Sequence, residues 1–226
     1  TLQLPQTQML GEPEGRDTLN AVGFTATVLQ KLDPDAVFAV LTADHIIRPQ
    51  DEFARCLDAG FKLVEQDNSR FVTFGITPTY PATGYGYVEL GDAIGDSAHS
   101  CTRFVEKPDE KTAQEYIATG SFAWNSGMFV FHAGTFLDAL QRLQPESARG
   151  LKLIGDAWGT DRQQEVLEDV YSTLPKVSVD CGMMEPASTD DIISIVTVPM
   201  NVQWLDVGSW PSYGDTLDAD EHGNRS

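Results

Sequence analysis

Ala36-Val-Phe-Ala-Val-Leu41, running straight into Thr42-Ala-Asp-His45, decides the reading of the fold. An unbroken apolar run of this length, without polar alternation, describes a strand buried on both faces of a sheet. On its N-terminal side, residues 17–31 put Val22, Ala26 and Leu29 on one helical face. Asp17 is placed to cap the start, and Asp33-Pro34-Asp35 breaks the end. On its C-terminal side, residues 51–66 carry Phe53, Leu57, Phe61 and Val64 at helical spacing, and Phe71-Val-Thr-Phe-Gly75 is a second strand. Strand, helix and strand alternate. The predicted class is α/β: a doubly wound, mixed, mostly parallel sheet flanked by helices.

The alternation continues along the chain. Tyr87–Leu90 and Thr102–Glu106 read as strands, Asp109–Thr119 as a helix stopped by Gly120, and Phe122–Phe131 as a long strand. Helices are expected over Gly134–Leu143, Glu146–Trp158 and Asp161–Ser172. Strands are expected over Val177–Asp180 and Ile192–Val198. Ser209 is placed to cap a last short helix toward Leu217, and the polar tail from Asp218 is expected to be mobile.

Composition narrows the function. The chain has 226 residues, 41% of them hydrophobic, and a net charge of −19. It can build a sizeable core, and it lacks the basic footprint of a nucleic-acid binder or of a protein that adsorbs to anionic membranes. Cys56, Cys101 and Cys181 are far apart and form neither a CxxC nor a Cys/His pattern. No disulfide framework or zinc site is expected, and a reducing cytoplasm fits. No run of about 18 apolar residues is present, so no membrane span is expected. Thr1-Leu-Gln-Leu-Pro-Gln has no initiator Met and no signal-peptide core, so the start is expected to lie upstream.

Several motifs carry chemistry. In Trp124-Asn-Ser-Gly-Met128, a buried amide without partners would cost roughly 1–3 kcal/mol. Asn125 therefore marks either an ordinary Gly127 bulge or a strand edge that presents hydrogen bonds to a polyol. Asp44 follows a buried strand, where α/β sheets bind ligands, and is a natural Mg2+ ligand or a simple loop cap. His45 beside it reads as a packed histidine rather than a metal ligand. Asp206, in Trp204-Leu-Asp-Val-Gly-Ser-Trp210, supplies a second carboxylate. Glu106-Lys107-Pro108 offers an acceptor for sugar hydroxyls and a cation for phosphate, or a surface ion pair. Thr83-Gly-Tyr-Gly-Tyr87 lets backbone approach a ligand closely, or is a hairpin loop. It matches neither GxGxxG nor a P-loop, and no nucleophile triad, HExxH or CxxC is present. Asp180 and Glu185 place two acids around a strand end, a general acid/base pair or, as the stronger reading, groups that orient a sugar or a basic side chain.

Taken in order, TADHII, TPTYPATGYGYVE, FVEKPD, FAWNSGMFVF, SVDCGMME and VQWLDVGSW resemble the nucleotidyltransferase domain of mannose-1-phosphate guanylyltransferases, over roughly Leu4 to Asn224. The segment Glu12-Pro-Glu-Gly-Arg-Asp-Thr18 is similar to the family's EPxGRNTAPA and departs from it at Asp17, Leu19 and Asn20.

The resemblance implies a Rossmann-like nucleotide-diphospho-sugar transferase fold and transfer of GMP from GTP to mannose 1-phosphate, with Mg2+ as cofactor. Asp44 and Asp206 match its Mg2+-binding and catalytic acids. Gly84, Tyr85, Gly86, Glu106, Asn125 and Asp180 match sugar-binding positions. Lys107 is implied at the sugar phosphate, and Glu12, with Asp44, at the nucleotide. The family's first strand and its Gly-rich, Arg-containing loop with a Pro-Lys-Gln segment are missing. Residues 1–226 are therefore expected to form one partial, N-terminally truncated domain that also lacks the family's C-terminal extension. A homodimer is left open by the resemblance. The competing readings are a fragment that binds sugar phosphate or GDP-mannose without turnover, a nucleotidyltransferase for another sugar and base, and a metal-dependent glycosyltransferase. The last of these lacks its Asp-x-Asp, since the strand ends Ala43-Asp44-His45.

Overall fold

The computed structural model describes residues 5, 8–208, 210–214 and 216–217. The first helix, α1 (Asp17–Leu32), leads into β1 (Val37–Val40), β2 (His45–Arg48), α2 (Gln50–Gln66) and β3 (Arg70–Ile76). A hairpin follows, formed by β4 (Tyr87–Ile94) and β5 (Ala98–Val105). Then come α3 (Glu110–Thr119), β6 (Phe122–His132), α4 (Ala133–Leu143), α5 (Pro145–Ala157) and α6 (Gln163–Tyr171). A π-helical turn (Asp180–Met184) runs into α7 (Glu185–Ala187), and β7 (Ser194–Pro199), β8 (Gln203–Asp206) and α8 (Trp210–Gly214) complete the described order.

Six strands form one sheet in the order β1-β6-β3-β7-β5-β4, with β4 pairing back onto β6; β2 and β8 form a separate two-stranded sheet. Alternation along the strands feeds two cores. Phe71, Phe129 and Phe131 face α1, α4 and α5 through Phe24, Phe136, Leu140 and Leu151. Val72, Phe74, Met128 and Val130 face α2 through Cys56, Leu63 and Val64. Helices on both faces of a mixed sheet make this a Rossmann-like α/β fold.

Strand direction departs from the mostly parallel expectation. Only β3 and β7 pair in parallel, and every other ladder of the sheet is antiparallel. The β4–β5 hairpin, which turns at Gly95 with φ +61°, reverses the chain once. The α3 crossover then carries β6 into the sheet in the direction of β5, so β6 is antiparallel to all three of its partners, β1, β3 and β4.

Two local expectations also change. Residues 177–179 do not form a strand, because their backbone is used by the start of α1. Leu19 N–H donates to Val177 O at 3.2 Å, and Val179 N–H donates to Thr18 Oγ1 at 2.9 Å. Asp180 therefore opens a helical turn rather than closing a strand. Asp17 does not cap α1 from outside. It is the first helical residue, at φ +60°, and its carboxylate accepts the Thr18 N–H. Ser209 and the tail from Asp218 lie outside the described residues. By contrast, α3 has the expected ends: Asp109 accepts from Thr112 N–H at 2.8 Å, and Gly120 adopts φ +69°.

Candidate active site

The run around Asn125 forms the Gly127 bulge, the first of the two readings its sequence allowed. Between the Thr73–Phe129 and Gly75–Asn125 pairs, β6 carries extra residues and bulges, with Gly127 at φ +70°. The bulge re-aims Asn125, which is buried with both ends of its amide hydrogen-bonded. Asn125 Oδ1 accepts the Thr73 hydroxyl at 2.7 Å and the Gly127 N–H at 3.3 Å. Asn125 Nδ2 donates to Asp180 Oδ1 at 2.8 Å, and the backbone N–H of Asn125 donates to Gly86 O at 2.8 Å.

Gly86 and Glu106 close on the same spot. A Cβ at Gly86 would sit 2.7 Å from Glu106 Oε2, 3.3 Å from Asn125 Cβ and 3.5 Å from Asn125 Nδ2. That position must lack a side chain for Glu106 and Asn125 to come this close to the backbone. Lys107 Nζ pairs with Glu106 Oε1 at 3.0 Å, and this ion pair raises the lysine's pKa. Lys107 also sits at φ +45° immediately before Pro108, a strained placement of the kind found at functional sites. Burial, and next the charge of Glu106, push the Asp180 carboxyl up to about 6. Gly86, Glu106, Lys107, Asn125 and Asp180, far apart in sequence, thus form one cluster. Gly84 lies in the loop before it with open space where a side chain would be.

A second cluster holds the other two acids. A Cβ at Gly208 would sit 3.1 Å from Asp44 Oδ2 and 3.1 Å from Asp206 Oδ1. The two carboxylates therefore share the space above Gly208. The β2–β8 ladder pairs His45 with Asp206, and Val207 N–H donates to Asp44 O at 2.9 Å, which fixes both acids on one short ribbon. Among the described residues no three His, Cys, Asp or Glu side chains gather into a closed metal cage. Two carboxylates brought to the same point nevertheless suit Mg2+, which keeps waters and substrate phosphates as its remaining ligands. The residues present fit that ion.

His45 supports this ribbon. Its side chain is buried, Trp204 Nε1–H donates to its Nδ1 at 3.1 Å, and Thr42 Oγ1 lies 2.5 Å from the same nitrogen. An indole N–H can only donate, so Nδ1 is the acceptor and the ring proton sits on Nε2, 3.9 Å from Asp44 Oδ1. Burial lowers the imidazole pKa despite Asp206 and Asp44, which keeps it neutral.

Tyr85 joins the clusters. Its ring packs edge-on against Trp124 at 5.3 Å and Trp204 at 4.9 Å. Its hydroxyl pKa is raised by burial first, then by the hydrogen bond to Tyr80, with Asp206 also contributing. The Gly127 bulge meets the Asp44 loop, since a Cβ there would lie 3.8 Å from Thr42 Cγ2. Glu12 is placed elsewhere. Its carboxylate accepts the Tyr171 hydroxyl at the end of α6, and among the described residues it makes no hydrogen bond or ion pair to either cluster. A cavity of about 780 Å3 between α1, α4 and α5, bordered by Gln30, Leu137, Gln141 and Lys152, contains none of these residues.

Sequence reading missed Thr73, Thr42 and the structural use of Trp204. Thr73 had no visible signal, because a threonine inside Phe71-Val-Thr-Phe74 reads as a β-branched strand former. Trp204 stood in a motif already singled out, and a donor-only indole two residues from a candidate metal acid was the available cue.

The fold class is that of the nucleotide-sugar transferases. A solved structure from Thermus thermophilus, described as mannose-1-phosphate geranyltransferase, is similar with a TM-score of 0.79 and 31% identity, over 94% of this chain and 58% of that one. Residues 2–223 match the family model described as Nucleotidyl transferase, and the chain belongs to that family. It is 39% identical to a mannose-1-phosphate guanylyltransferase of Salmonella montevideo, over 94% of this chain and 45% of the relative. It is 38% identical to the xanthan biosynthesis protein XanB of Xanthomonas campestris pv. campestris, over 96% and 44% respectively. The chain spans about half the length of the curated relatives it matches. No helix among the described residues is long and apolar enough to cross a membrane.

Proposed function

We propose that this chain carries the transfer site of a mannose-1-phosphate guanylyltransferase, acting in the cytoplasm. It would move GMP from GTP to mannose 1-phosphate, giving GDP-mannose and pyrophosphate. The observation that carries this reading is the cluster of Gly86, Glu106, Lys107, Asn125 and Asp180 beside the Asp44–Asp206 pair. An amide donor and carboxylate acceptors gathered in one place suit vicinal hydroxyls, and a cation beside them suits the phosphate of the same molecule.

The chemistry needs no protein nucleophile. An oxygen of the sugar phosphate forms a bond to the α-phosphorus of GTP as the bond from that phosphorus to the pyrophosphate oxygen breaks, in line. The protein's work is positioning and charge neutralisation. Glu106, Asn125 and Asp180 hold the sugar, and Lys107 orients and neutralises its phosphate. Asp44 and Asp206 would hold Mg2+, which supplies positive charge to the nucleotide phosphates when bound. Neutral His45 and Trp204 keep Asp44 and its ribbon in place. Tyr85, between the clusters, keeps water from the space where the substrates meet. A guanine contact by Glu12 would use acceptor capacity of its carboxylate beyond the bond from Tyr171.

The test is pyrophosphate release with matched substrate pairs. GTP with mannose 1-phosphate should react fastest in the presence of Mg2+. Activity only with glucose 1-phosphate and UTP or dTTP would refute the sugar and base assignments.

A further inference from the structure

We propose that Thr73 is a positioning residue of the sugar subsite. Its buried hydroxyl, together with the Gly127 N–H, holds the Asn125 carbonyl oxygen on the β3 side, so that the NH2 group faces Asp180 and Gly86. The inference rests on the sugar-pocket reading above and identifies what fixes that pocket's donor pattern.

An asparagine amide has two ends of nearly equal shape, so its partners choose the orientation. One end of Asn125 faces two donors, the Thr73 hydroxyl at 2.7 Å and the Gly127 N–H at 3.3 Å. The Gly127 N–H cannot accept, so the carbonyl oxygen belongs on that side. The other end faces Asp180 Oδ1 at 2.8 Å, an acceptor when ionised. Thr73 is fully buried in β3, opposite the β6 bulge, and a β-branched side chain has little freedom about χ1. Its hydroxyl has one other partner within reach, the Met128 carbonyl at 3.3 Å, which is the longer contact.

This orientation matters to a ligand. One N–H of Asn125 goes to Asp180, and the second has no partner among the described residues, with Nδ2 3.5 Å from the point where a Gly86 Cβ would stand. Glu106 Oε2 lies 2.7 Å from the same point. A donor and an acceptor about one point are satisfied together by a hydroxyl, which both donates and accepts. A flipped amide would leave acceptors alone there and set its carbonyl oxygen against Asp180. The recognised chemistry is therefore a sugar hydroxyl, and Thr73 acts on it through Asn125 without touching it.

The experiment compares Thr73→Val, which keeps the shape and removes the hydroxyl, with Thr73→Ser, which keeps the hydroxyl. Mannose 1-phosphate binding to the 226-residue chain is measured by calorimetry. Thr73→Val should weaken binding about tenfold, with Thr73→Ser within about twofold of wild type. Equal affinity of Thr73→Val and wild type overturns the positioning role and leaves the sugar reading intact. Equal weakening by both variants also overturns it, because packing would then be the cause. Failure of wild type to bind mannose 1-phosphate refutes the sugar reading and the positioning role with it. Should Thr73→Val not fold, the Asn125 side-chain amide of wild type decides by NMR. One of its two protons should shift as Asp180, faced by Glu106 and Lys107, takes up a proton, while Asp180→Asn abolishes the shift. An amide signal indifferent to Asp180 overturns the proposal.

Discussion

Asp180 should reduce the stability of the protein that it serves. Burial and the charge of Glu106 push its carboxyl from the ordinary aspartate value of 3.8 up to about 6. In the folded state it therefore holds a proton over a pH range in which the unfolded chain has released it. Stability falls as pH rises through that range, and the full penalty is present above about pH 6. The shift corresponds to roughly 3 kcal/mol as an upper bound, and the access to water that Asp180 retains brings the expectation to about 1–3 kcal/mol. Asp180→Asn removes the charge, and its carbonyl oxygen can still accept from Asn125 Nδ2. Urea unfolding at about pH 8 should thus find the variant more stable than wild type by that amount, and the difference should vanish toward about pH 4. Sugar-phosphate affinity should fall at the same time, because a carboxylate acceptor is lost. A variant less stable than wild type at the higher pH, or a difference that does not change with pH, would refute the reasoning: the Asn125–Asp180 bond would then outweigh the buried charge.

Three further substitutions probe separate parts of the site. Gly86→Ala places a Cβ 2.7 Å from Glu106 Oε2, the free end of a side chain able to swing aside, so the fold should persist. Mannose 1-phosphate affinity, read by calorimetry, should drop at least about tenfold as Glu106 is displaced. Gly208→Ala places a methyl 3.1 Å from both Asp44 Oδ2 and Asp206 Oδ1. Binding of Mn2+, followed by paramagnetic resonance as a probe for Mg2+, should weaken about tenfold or more while thermal stability changes little. Trp204→Phe removes the N–H that fixes His45 Nδ1 as an acceptor. A loss of about 0.5–1.5 kcal/mol in urea unfolding is expected, together with weaker Mn2+ binding.

The legible and illegible parts of this molecule divide on physical grounds. Phe71–Gly75 and Phe122–Phe131 were readable as strands because burial on both faces favours apolar residues, whereas Ala36–Leu41, expected to be buried on both faces, forms the edge strand β1, in which only Phe38 is buried and after which Leu41 is exposed. Strand directions were not readable, because one hairpin turn at Gly95 decides the sense of β6 and no pattern within Phe122–His132 records it. The β2–β8 ribbon escaped notice because His45-Ile-Ile-Arg48 is only four residues long and gains meaning from its partner. Residues 177–179 looked like a strand because Val-Ser-Val alternates, yet their hydrogen bonds go to the start of α1. In the site, Asp44, Glu106, Asn125 and Asp206 stood out as polar groups in places where apolar neighbours leave them unexplained. Thr73 did not, because its chemistry lies in a cross-strand contact with a bulge.

Chemical-shift mapping with mannose 1-phosphate tests the central claim most directly. The backbone amides of Gly86, Glu106, Lys107, Asn125 and Asp180 should shift together on titration, and glucose 1-phosphate should produce smaller shifts at higher concentration. Shifts confined to the cavity between α1, α4 and α5, or no saturable shift at the Asn125 cluster, would contradict the account.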